Sequence, residues 1–209
     1  MDNTTKSTYW AVRTNGGISL LILFFFMGWG AQLQAQTGEI KTSKGLITFE
    51  LYPDKAPRTV ANFLRYVKEK KYDGGSFFRA TTPENEANRE YKIEVIQGGI
   101  ADVKNAFAPI VLESTQQTGL KHLDGTLSMA RAGVDTARDN FFICINAQPE
   151  LNYGGKRQPD GMGFAAFGRV TNGMDIVRLI QQGAKQNQRI DPVVVIESIR
   201  IIQPSASGK

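Results

Sequence analysis

The sequence has almost no cysteine or histidine. Its 209 residues include one of each, Cys144 and His122. A single cysteine excludes an intramolecular disulfide, and together with a single histidine it cannot assemble a Cys/His zinc site. Hydrolysis by a Ser-His-Asp arrangement would have to use His122. That residue lies in Gly119-Leu120-Lys121-His122-Leu123-Asp124-Gly125, which reads as a polar loop. Cys144 follows Phe-Phe-Ile inside an apolar strand pattern, where a buried thiol is inert. Nor is there an apolar run of the ~20 residues that a comfortable membrane-spanning helix needs. A strong field of one sign is also missing: 25 Lys and Arg against 20 Asp and Glu leave a formal net charge of +5. The charges are interleaved, as in Lys68-Glu69-Lys70-Lys71-Tyr72-Asp73. A diffuse excess of this kind serves solubility and argues against a nucleic-acid partner. There is no internal repeat and no sign of a second domain.

The apolar run that does occur, Ile18 to Trp29, follows Lys6 and Arg13 and precedes Leu33-Gln34-Ala35-Gln36. A charged start, an apolar stretch and a small residue at the cleavage point read as a signal peptide, residues 1–35, cut after Ala35. Leu33, three residues before the cut, suits cleavage less well than alanine, and the alternative is an uncleaved anchor. Either way the expected location is outside the cytoplasm, in the periplasm, with membrane contact only if the leader stays.

From Glu39 the pattern alternates. Ile40, Thr42 and Leu46-Ile47-Thr48-Phe49-Glu50-Leu51 read as two strands joined at Ser43-Lys44-Gly45. Proline is tolerated at a helix start, and Val60, Phe63, Leu64 and Val67 recur at helical spacing, which predicts a helix from Pro57 to Lys70. Short strands are expected at Ser76–Arg79, Ile93–Gln97, Gly125–Ala130, Phe141–Ile145 and Phe164–Val170. A second helix is expected at Met174–Gln182 and a last strand, rich in β-branched residues, at Val193–Ile202. With 21 glycines and eight prolines for turns, this is a mainly β domain over residues 36–203, followed by a frayed tail at 204–209.

Three segments in order resemble cyclophilins. Phe77-Phe78-Arg79 with Gln97-Gly98-Gly99 resembles the F-x-R and Q-G-G strand pair of that family. Gly125-Thr126-Leu127-Ser128-Met129-Ala130-Arg131-Ala132 resembles G-x-[IL]-[SA]-M-A-x-[AT]. Asn140-Phe141-Phe142-Ile143 resembles Q-F-F-I, with Phe167-Gly168-Arg169-Val170 as the later F-G-[KR]-V. The resemblance runs from about Glu39 to Ile202. It implies a closed eight-stranded antiparallel β-barrel capped by two helices, without cofactor or metal, acting as a monomer on proline-containing polypeptides. The implied activity is peptidyl-prolyl cis-trans isomerisation, assisting the folding of exported proteins. A non-catalytic peptide-binding module using the same groove is the alternative.

Rotation about an X–Pro bond crosses ~18–20 kcal/mol because the amide loses its resonance. A catalyst of this step needs no nucleophile. It needs a hydrogen-bond donor near the prolyl nitrogen, which grows basic as the amide twists, and a pocket for the ring. By resemblance Arg79 is that donor, and Gln97 binds the substrate backbone and steers the arginine. Met129 and Phe142 would grip the proline ring, with Phe141 turned to the core, because neighbours on a strand face opposite sides. The Ala130-Arg131 backbone would pair with the extended substrate, and Asn140, Leu151 and Phe164 complete the implied site.

Several positions depart from the family pattern. Ala80 to Lys92 is longer and more polar than usual, and Tyr153 to Gly163 is inserted. Glu94 stands where a pocket phenylalanine is usual, Glu150 where a tryptophan or phenylalanine is, and Phe164 where a histidine is. Two consequences follow as alternatives. A carboxylate such as Glu94 could pair with Arg79 and occupy the donor, or Phe164 could restore the lost apolar surface.

Overall fold

The computed structural model describes residues 36–202. The expected signal peptide and the expected tail at 204–209 lie outside the described residues.

Strand β1 (Gln36–Thr42) turns through Ser43-Lys44 into β2 (Gly45–Leu51), as the alternating pattern requires. Gly45 has φ +142°, a conformation side chains rarely adopt, and a Cβ there would also strike Ile176. Helix α1 (Pro57–Lys68) follows, with proline in its first turn. Its leading residue, Ala56, has no capping side chain. The carboxylate of Glu113, far away in sequence, accepts instead from the Arg58 and Thr59 amides at 3.1 and 2.8 Å. A negative group at the positive end of a helix satisfies two otherwise orphaned donors. The helix stops two residues short of the expected Lys70, which takes a left-handed backbone conformation (φ 55°).

The chain continues through β3 (Ser76–Ala80), β4 (Val95–Gly99), the one-turn helix α2 (Thr115–Thr118), β5 (Thr126–Met129), β6 (Phe141–Cys144), β7 (Ala165–Asn172), α3 (Met174–Gln182), β8 (Lys185–Gln186) and β9 (Arg189–Ile202). Every pairing is antiparallel, in the order β1-β2-β7-β5-β6-β4-β3-β9, and β9 returns to β1. The closed eight-stranded barrel is therefore as expected, and closure leaves no open edge. The tiny β8 adds a flap outside it, paired only to β9.

The two expected helices are α1 and α3, and the described residues hold a third. The additional one, α2, is a single turn and too short to leave a periodicity in the sequence. A capping box between Ser114 and Gln117 holds its start, and Gly119 in left-handed conformation ends it.

The barrel interior is aromatic. Phe63 of α1 meets Phe49 (centroids 5.8 Å, 87°), Phe141 (5.6 Å, 85°) and Phe167 (5.1 Å). Edge-to-face contacts like these add to area burial worth about 2–3 kcal/mol per ring. Val177 and Ile180 of α3 are likewise buried in this core. A second, smaller apolar cluster is separate from it: Ile93, Val95, Phe142, Cys144, Leu151 and Phe164.

Candidate active site

Four adjacent strands place one row of side chains side by side. Arg79 on β3 pairs with Gln97 on β4, Gln97 with Phe142 on β6, and Phe142 with Ser128 on β5. The next row, with Phe77, Gly98, Phe141 and Met129, belongs to the barrel interior. Strand alternation would send Phe77 and Arg79, two residues apart, to the same face. A β-bulge between them breaks the alternation. Phe77 is fully buried in the core, whereas the Arg79 side chain, 30% exposed, reaches the outer groove. Bulges re-aim side chains in this way.

The groove has a volume of about 510 Å³. Of the residues singled out from the sequence, Arg79, Gln97, Ala130, Arg131, Phe142, Leu151 and Phe164 line it. Met129 does not. It is fully buried in the main core opposite Phe141, since Ser128 takes the outward position on β5. The expectation that Met129 grips the ring is corrected by the same alternation that separates Phe141 from Phe142. Asn140 is also absent from the lining: its carbonyl accepts from the Ala130 amide at 2.9 Å, and its side chain lies against Gly99.

The groove floor is the outer apolar cluster. The rings of Phe142 and Phe164 meet edge to face at 5.5 Å. Behind Phe142 the His122 ring stacks at 6.0 Å and 17°. His122 is buried, with Nδ1 2.9 Å from Asn152 Oδ1 and Nε2 2.9 Å from Ser128 Oγ. Burial pushes its pKa down to about 4 against the opposing pull of the Asn152 hydrogen bond, so the ring is neutral at pH 7. It supports the floor and does not open to the groove. Arg131 is nearly enclosed: Nε donates to the Gly163 carbonyl at 2.7 Å, and Nη1 and Nη2 grip Asp160 at 2.7 and 2.8 Å. That fork holds the Asp160 carboxyl down at about 2. Its guanidinium also covers the Phe164 ring at 5.2 Å, fixing the far wall.

At the other end Arg79 donates from Nη1 to Gln97 Oε1 at 2.9 Å and from Nε to Gln188 Oε1 at 2.9 Å. Burial pulls its guanidinium below the ordinary range, the Arg157 and Arg89 charges act in the same direction, and Glu86 opposes them. An arginine nonetheless stays protonated in a protein. The carboxylate beside it is Glu86, with Oε1 3.7 Å from Nη2. Glu94 turns away, accepting from Asn146 Nδ2 at 3.1 Å. Glu150 accepts the Lys156 amide at 2.8 Å and does not line the groove. Phe164 does line it and adds its ring to the apolar surface there. Glu86 and Gln188 carry no motif; Arg157 lies in Tyr153-Gly154-Gly155-Lys156-Arg157, which resembles a motif of a divergent bacterial subgroup of the family, and the further signal was the unusual length of the two insertions that contain Glu86 and Arg157.

The "Cyclophilin type peptidyl-prolyl cis-trans isomerase/CLD" family matches residues 37–201. The chain is 38% identical over 176 residues to the peptidyl-prolyl cis-trans isomerase cyp18 of Streptomyces antibioticus, covering 79% of this chain and 98% of that one. It is 36% identical over 169 residues to a peptidyl-prolyl cis-trans isomerase of Acinetobacter baylyi, covering 76% and 81%. Among solved structures, a Cryptosporidium parvum cyclophilin type isomerase superposes with a TM-score of 0.64 at 23% identity, covering 82% of this chain and 99% of that one. A barrel closed from β1 to β9, a groove on its outer wall and this similarity over most of the chain together make the protein a member of the cyclophilin-type peptidyl-prolyl cis-trans isomerase family.

Proposed function

We propose that the protein catalyses rotation of X–Pro bonds in exported polypeptides and so assists their folding. The observation that carries this reading is the pairing of an always-charged donor with an apolar floor in one groove. The proline ring rests on Phe142, Phe164 and Leu151, and Gln97 holds the backbone next to it. Arg79 donates to the prolyl nitrogen as the amide twists, an interaction stronger in the twisted state than in either planar one. Only such a differential interaction lowers the barrier, by about 1.4 kcal/mol for each tenfold in rate. A crystal structure of the Cryptosporidium parvum relative was obtained in the presence of the dipeptide Ala-Pro, which supports a proline-containing ligand here. The exported context rests on the charged and apolar N-terminal segment, which supports a periplasmic location, free or anchored by its leader. Cell fractionation tests that part.

The nearness of Glu86 to Arg79 favours one alternative, a groove that binds proline peptides without accelerating them. Exchange NMR on an X–Pro peptide separates the two. Accelerated cis-trans exchange with substoichiometric protein supports the enzyme; peptide binding with no acceleration supports the binding module.

A further inference from the structure

A guanidinium on a flexible stem adopts many orientations, and a donor that must meet a nitrogen mid-rotation is useful in few of them. Each nitrogen of Arg79 has a neighbour on a different element. Nη1 reaches Gln97 of β4 at 2.9 Å, Nε reaches Gln188 of the β8–β9 turn at 2.9 Å, and Nη2 faces Glu86 of the long β3–β4 connection at 3.7 Å. Glu86 is an unusual residue to find there, because its side chain is fully buried in a segment whose sequence reads as solvated. Burial would raise its carboxyl, but hydrogen bonds from Arg157 and from the Ile93 amide outweigh that and keep it ionised. Arg157 Nη1 and Nη2 grip the two oxygens at 2.7 and 2.6 Å, and the Ile93 amide donates at 2.9 Å. Arg157 belongs to the second insertion, and it also donates to the Tyr91 carbonyl at 2.7 Å. One carboxylate therefore ties the two insertions together beside Arg79.

The same carboxylate acts on Gln188. The Gln188 amide nitrogen lies 3.3 Å from Glu86 Oε1 and 3.4 Å from the Asn85 carbonyl. With its nitrogen committed there, its oxygen must face Arg79 Nε. Glu86 thus touches the arginine twice, directly by charge and indirectly through an oriented amide. It does not neutralise the arginine, because its short bidentate contact is with Arg157, which leaves Arg79 the cation facing the groove.

We infer that Glu86 is a positioning residue for Arg79, and that the two insertions exist in this chain as the brace that holds it. This rests on the isomerase reading of the groove. Glu86→Gln keeps the shape and removes the charge, so an amide nitrogen must now face donors. In the folded variant kcat should fall about tenfold with KM within about twofold, a change of roughly 1.4 kcal/mol in the barrier. In an Arg79→Ala background the same substitution should change nothing. Gln188→Ala, at a half-exposed turn position, should lower kcat about threefold or more with an unchanged melting temperature. Wild-type kcat in folded Glu86→Gln or in Gln188→Ala overturns the inference, as does an equal loss in the Arg79→Ala background. If Glu86→Gln does not fold, Gln188→Ala alone decides. If the wild type itself accelerates no peptide, the isomerase reading fails, and the brace is then read directly by NMR. A slowly exchanging Arg79 Nε–H signal that is lost in Gln188→Ala supports it; the same signal in both proteins overturns it.

Discussion

The apolar floor of the groove and its charged rim are built by different parts of the chain. The floor comes mainly from strands and their ends: Val95, Phe142 and Cys144 occupy outward positions on β4 and β6, Ile93 and Phe164 lie just before β4 and β7, and Leu151 joins them from the β6–β7 connection. The rim comes from the two long connections and the β8–β9 turn, whose polar side chains hold one another and Arg79. Removing a floor residue disturbs a packed cluster. Removing a rim residue disturbs an orientation. The two halves should therefore fail differently, the floor in stability and affinity, the rim in turnover.

The largest expected effect is at their junction. Arg79→Ala should lower kcat by about a hundredfold or more, the usual cost of deleting a donor aimed at developing charge. Its melting temperature should stay near that of the wild type, because the side chain is partly exposed, the losses are hydrogen bonds to Gln97 and Gln188 and a 3.7 Å charge contact with Glu86, and Glu86 keeps its short contacts with Arg157. A variant that loses stability in step with rate would erase the distinction between floor and rim. Phe142→Ala should do the reverse. The ring is 4% exposed and touches both His122 and Phe164, so denaturant unfolding should show a loss of about 3 kcal/mol, and KM should rise more than kcat falls.

Acid should weaken the floor next. The folded state holds His122 at about 4, whereas in the unfolded chain an imidazole takes up its proton near the ordinary value of 6.5. The stability that comes from keeping this ring neutral is thus complete above pH 6.5 and lost as pH falls toward 4, up to about 3 kcal/mol. Unfolding midpoints between pH 7 and pH 4 measure it. His122→Gln should flatten that slope, and an unchanged slope would assign the acid sensitivity elsewhere.

The floor was largely legible in the sequence and the rim was not, for a physical reason. Strand residues obey a period of two, so Phe141 and Phe142 must face opposite sides, and the family resemblance assigned Phe142 to the groove. The same rule, applied to Ser128 and Met129 with their partner strand in register, would have removed Met129 from the groove. The bulge at Phe78 is where the rule fails, and only the family resemblance put Arg79 outside. The boundaries of α1 and β9 shifted by a few residues because Lys70 ends the helix in a left-handed conformation and the β8 hairpin extends the last strand back to Arg189. Loop residues have no such period. Glu86 looks solvated in Pro83-Glu84-Asn85-Glu86-Ala87-Asn88, and only its distant partner Arg157 explains its burial. Glu94, the carboxylate singled out as a departure from the family pattern, faces Asn146 instead.

In the proposed mechanism a permanently charged donor on the outer wall of the barrel, with no titrating group in the chemistry, drives the rotation. The pH dependence of catalysed exchange for an X–Pro peptide tests it most directly. The rate should change by less than about twofold between pH 6 and pH 9, since an arginine does not lose its proton in that range. No acceleration at any pH, or a steep loss across that interval, would contradict it.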